Sequence, residues 1–110
     1  MKKHFYHHLI EIDSIHIALD KLDLNPEEKK ELVIIIDNNI HHVVLDVVLS
    51  KLEERDKKAF LALVLAEDHD EIWELISQKI DNAELKIKQA ISEFIEKLHL
   101  DIKEILLKKK

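Results

Sequence analysis

Eight histidines stand among 110 residues, and imidazole is the side chain best suited to proton exchange and transition-metal binding near neutral pH. His4, His7, His8 and Glu11 form the densest set. On a helix, their i, i+3, i+4, i+7 spacing places all four on one face. Imidazoles with a carboxylate suit a divalent transition metal such as Zn2+, Ni2+ or Cu2+. The plainer reading is a solvated amphipathic face close to a terminus. A catalytic metal would also need a dry site with supporting partners around its ligands.

The remaining histidines suggest other pairings. His41 and His42 are adjacent, so on a helix they point about 100° apart and do not share one ion easily. Asp37 lies four residues before His41 and Asp46 four after His42. That patch reads as a satisfied polar surface on an apolar helix, or as a set of groups that fixes register against a second chain. Di-iron bundles use Glu-x-x-His on two helices. Glu96–His99 fits that spacing, and Asp13–His16 fits it with aspartate. The extra glutamates that two further helices should supply have no counterpart on an apolar face. Nucleophilic catalysis has little support: the serines are Ser14, Ser50, Ser77 and Ser92, all in helical patterns, and there is no cysteine or threonine.

These groups must be positioned by helices, because the chain contains no glycine and a single proline, Pro26. Without glycine, tight hairpins and phosphate-cradling loops lose their usual residue. The punctuation marks five helices. The first spans about His4 to Leu22, with Phe5, Leu9, Ile12, His16 and Leu19 as one stripe. Asn25 is an N-cap with Pro26 at N1, and Glu27 and Glu28 favour the start of the second helix. That helix runs from Pro26 to about Leu52 and is apolar nearly all round, which predicts the buried centre of a bundle. The triplet Asp37-Asn38-Asn39 is where it would kink. A third helix covers about Asp56 to Ala66, with Phe60, Leu61, Val64 and Leu65 inward. Asp68 with Glu71 caps a fourth, reaching about Ile80, and Asp81 with Glu84 caps a fifth, about Asn82 to Leu107.

The segment 19–80 has a recognisable cadence in Glu27-Glu28-Lys29, Val48-Leu49-Ser50-Lys51-Leu52, Glu54-Arg55-Asp56 with Phe60, and Glu71-Ile72-Trp73. It resembles a family of small uncharacterised helical proteins of candidate-phylum bacteria. The resemblance implies a helical fold and carries no activity, cofactor or site.

The expected fold is therefore all-α: one domain, residues 1–110, a five-helix bundle around the helix of about 26–52, ending in a frayed lysine tail at 108–110. The formal charge is −6, and removing the three terminal lysines leaves about −9 on residues 1–107. So acidic a body argues against nucleic acid as partner. The apolar run Leu32–Leu52 is broken by Asp37, Asn38, Asn39, His41, His42 and Asp46 and reads as too polar for a simple membrane span. Absence of cysteine and of a secretion signal fits a cytoplasmic protein.

The function expected from this is a non-enzymatic interaction module without a cofactor, pairing with itself as a homodimer or with another protein. Its interface would use Trp73 and the far end of the last helix, Leu98, Ile102, Ile105 and Leu106. About 25 residues span roughly 37 Å, more than two short helices cover. Two alternatives stand beside it: a metal-binding protein using the histidines, and an acidic inhibitor that mimics nucleic acid.

Overall fold

The computed structural model describes residues 4–108, without the side chains of Leu106 and Lys108. Among the described residues are five α-helices and one short 3-10 turn, His7–Leu9. The helices are α1 (Ile12–Asp20), α2 (Pro26–Leu49), α3 (Glu54–Leu65), α4 (His69–Lys79) and α5 (Ala83–Lys108). The all-α bundle expected from the missing glycine is what forms.

The largest departure lies at the start. Residues 4–11 do not extend the first helix; they form a strap of turns and extended backbone. His7 and Leu9 donate to the carbonyls three residues back, and Ile10 adopts ψ 128. Adjacent Phe5 and Tyr6 are both buried. Phe5 packs edge-on against Phe60 and Trp73, with ring centroids 5.9 and 5.6 Å away. Two buried aromatics outweigh the helical preference of so short a segment.

From Leu9 the chain climbs along α5. Leu9 and Glu11 share a cleft with Lys88, Ile91 and Ser92, and the Ser14 hydroxyl meets His99 Nε2 at 2.9 Å. The chain therefore turns at the carboxy-terminal end of α5, where Lys29 pairs with Asp20, and α2 returns antiparallel to α5. Asn25 accepts the Glu28 N–H at 2.8 Å, and the Glu28 carboxylate accepts the Asn25 N–H at 3.1 Å. That full capping box starts α2 at Pro26.

Helix α2 continues unbroken through Asp37-Asn38-Asn39 and stops at Leu49, three residues short of the expected Leu52. It is not buried all round. Ile36, Asp37, Ile40, Val44 and Val48 form one buried stripe, while Ile34 and Ile35 are each 52% exposed. The reason is coverage: α5 lies along one side, and among the described residues no other helix packs on α2 to a comparable extent. By length and composition α2, with a mean hydropathy of 1.7, is apolar enough to cross a membrane. Asn38, Asn39, His42 and Asp46 are nevertheless all on its outer surface.

Helices α3 and α4 form a hairpin at the other end. Phe60, Ile72, Ile76 and Ile80 are buried, but Leu61 and Leu65, expected inward, face solvent; Leu65 is 86% exposed. Val64 packs on the core as expected, and Leu63 joins it. The corner after α3 is a Schellman turn: Asp68 N–H reaches Leu63 O, Glu67 N–H reaches Val64 O, and Glu67 takes φ 57. Asp68 caps α4 by accepting the Glu71 N–H at 3.3 Å. At the next corner Asn82, not Asp81, flanks the helix, with φ 54. In a chain without glycine, a glutamate and an asparagine fill the two left-handed positions among the described residues.

Candidate functional site

The chemistry-bearing side chains gather where the strap crosses α2. The His4 Nε2 lies 3.3 Å from Asp37 Oδ2. A carboxylate only accepts, so His4 carries its proton on Nε2. The His4 ring packs against both Tyr6 and His41, with centroids 4.9 and 4.6 Å away, and those two rings also face each other at 6.0 Å. The Tyr6 hydroxyl lies 3.1 Å from His41 Nδ1. Tyr6 is fully buried, and burial first, then the nearby Asp37 charge, pushes its phenol well above the ordinary tyrosine range. Asp37 Oδ1 is buried without a hydrogen-bond partner. The i, i+4 relation of Asp37 and His41 sets both on the face that receives the strap.

This cluster borders a cavity of about 190 Å3 between the strap, α2 and the α3–α4 corner. His4, His41, Glu67 and His69 supply its polar walls; Phe5, Val64, Leu65 and Ile72 supply the apolar ones. It is the one place where three imidazoles and a carboxylate from separate elements line a single cavity among those described.

The set His4, His7, His8 and Glu11 is not on one helical face, because α1 begins only at Ile12. His4 turns to Asp37. The Nδ1 of His7 is buried without a partner. His8 Nε2 lies 3.7 Å from Glu84 and its ring meets Trp73 edge-on. Glu11 flanks the start of α1. Among the described residues no three His, Asp or Glu side chains converge on a metal-binding point. Of the di-iron spacing, α1 and α5 do face each other, but His99 is engaged by Ser14.

Trp73, named above for an interface, is half-buried against the core and bonds within the chain: its indole N–H donates to the Phe5 carbonyl at 2.8 Å. Ile102 is 4% exposed and Leu98 packs against the core, so α1 and α2 already cover this part of α5. Ile105 is 45% exposed, and the Leu106 side chain lies outside the described residues, as do Lys109 and Lys110 of the expected tail; Lys108 closes α5. Sequence reasoning missed Leu100 and Leu107, exposed on one face of α5 seven residues apart, and Ile17, Ile34 and Ile35 on α1 and α2. The signal was present in α2, where apolar residues outnumber what one neighbouring helix covers.

The molecule is long for its mass, at 52 × 24 × 20 Å. Its radius of gyration is 15.9 Å, where a compact chain of this length has about 13 Å. It exposes 7628 Å2, about 1,300 Å2 more than a compact monomer of its mass. Comparisons with protein-family models, curated proteins and solved structures find no match to this chain.

Proposed function

We propose that this chain is a non-catalytic helical interaction module that pairs with a second copy of itself through its slender end, built of α1, α2 and α5. The observation that carries the reading is the surplus surface. About 1,300 Å2 beyond the compact expectation exceeds the roughly 800 Å2 that each partner gives to a standard interface. Exposed aliphatic side chains lie on those three helices: Ile17, Ile34, Ile35, Leu100, Ile105 and Leu107. Lys30, Glu31, Lys103 and Glu104 stand near them in sequence with both charge signs, which suits a self-complementary contact across a two-fold axis. The polar Asn38, Asn39, His42 and Asp46 on the outer surface of α2 favour a protein partner over lipid.

The test is mass against concentration. Sedimentation equilibrium of the full chain is expected to show twice the 13.0 kDa chain mass at high concentration. The double variant Ile34→Glu/Leu100→Glu is expected to remain at the single-chain mass. A wild-type chain that stays monomeric across the range, or that partitions onto lipid vesicles instead, overturns the reading.

A further inference from the structure

We propose that the outer face of α2 is the seam of the self-pairing, with α2 of the second copy lying antiparallel across it and Ile35 on the two-fold axis. This geometry refines the self-association proposed above and depends on it.

The face is defined by what α2 buries. Ile36, Asp37, Ile40, Val44 and Val48 turn inward. At about 100° per residue, the side opposite that stripe carries Glu28, Glu31, Ile35, Asn39 and His42, all of them exposed. Their spacing is 3-4-4-3 and reads the same in both directions about Ile35. An antiparallel two-fold pairing asks for that symmetry, because residues equally far from the axis on either side must meet.

The apolar residues fix where the axis falls. Ile34 and Ile35 are the large aliphatic side chains that α2 exposes, each at 52%. With the axis at Ile35, that side chain packs on its own copy and Ile34 widens the apolar centre. Glu31 then faces Asn39 of the second copy, and Glu28 faces His42. Each carboxylate meets a side chain that can donate an N–H, the asparagine amide or the imidazole. The two-fold axis makes both contacts twice. Asp46, eleven residues past Ile35, reaches beyond Pro26, the first residue of the facing helix. A parallel arrangement would instead set Glu28 and Glu31 each against its own copy. Like charges across a contact are costly, so charge selects the antiparallel orientation. The polar residues along this apolar helix thereby gain a role: they set orientation and register, as polar groups do in helical seams.

Cross-linking tests the seam directly, because the chain has no cysteine of its own. Ile35→Cys is expected to form a disulfide-linked dimer on mild oxidation, since the axis brings its sulfur to its own copy. Glu28→Cys and His42→Cys are each expected to remain unlinked alone and to link when mixed. All three positions are exposed, and Asn25 accepts the backbone N–H of residue 28, which Glu28→Cys retains, so the variants are expected to fold. His42→Glu sets carboxylate against carboxylate in both symmetric contacts and is expected to weaken the dimer more than about tenfold in sedimentation. Self-linking of Glu28→Cys or His42→Cys as readily as Ile35→Cys overturns the antiparallel seam. A wild-type dimer in sedimentation, with no link formed by Ile35→Cys, overturns the seam and leaves the self-pairing standing. A wild-type chain that stays monomeric overturns both.

Discussion

Trp73 donates its indole hydrogen to a backbone carbonyl 68 residues earlier, and that one bond seats the strap beside Phe60. Trp73→Phe keeps most of the ring but leaves the half-buried Phe5 carbonyl without its donor. The expected loss is about 1–2 kcal/mol, read as a fall in the thermal midpoint by circular dichroism. Tyr6 makes a second prediction, through pH. Its phenol is raised in the folded chain, by burial first and by Asp37 second. The unfolded chain ionises this group near its ordinary value of about 10 and the folded chain does not. Tyr6 therefore contributes stability that is fully present below about pH 10 and is lost as pH rises further, by about 1.4 kcal/mol per pH unit. Denaturant unfolding between pH 9 and about 11.5 is expected to show this slope in the wild-type chain and not in Tyr6→Phe, the difference separating Tyr6 from the lysines.

At the scale of elements, the corners divide into those set by a local signal and those set by distant partners. The start of α2 needs only Asn25, Pro26 and Glu28 in sequence order, and all three were legible, although the return bond from Glu28 was not read from spacing alone. Asn25→Ala is expected to cost about 1 kcal/mol, measured by chemical denaturation, with α2 otherwise intact. Asn82→Gly should act in the other direction, raising stability by about 0.5 kcal/mol as the left-handed backbone is relaxed. The strap was not legible. Phe5, Leu9 and Ile12 have helical spacing, and nothing local reveals that Phe60 and Trp73 wait for Phe5 or that Asp37 and His41 wait for His4 and Tyr6. The same gap explains the metal set: its geometry depended on a helix that tertiary contacts replace. In α3 the inward choice failed for Leu61 and Leu65 because the hairpin with α4 covers only one side of a two-sided apolar pattern.

For the whole molecule, charge sets the sign of a further prediction. Each chain carries −6, so two copies repel at long range while the aliphatic contact attracts at short range. Raising ionic strength from about 0.01 to 0.15 M shortens the Debye length from about 30 to 8 Å and is expected to strengthen self-association. Sedimentation in a salt series reads this directly. An acidic mimic seated in a basic groove would show the reverse. The all-α class was legible from composition, whereas the elongation was not: it arises because two helices of 24 and 26 residues are flanked by helices of at most 12.

The placement of the strap also has a consequence for the order in which the chain is made. Residues 4–8 are synthesised before all of their seats, which are Asp37, His41, Phe60, Trp73 and Glu84. Phe5 and Tyr6 therefore have no place to bury until most of the chain has been synthesised. Nascent chains stalled before the α4 codons are expected to present an amino-terminal aromatic segment open to protease, and chains stalled after α5 emerges are expected to protect it.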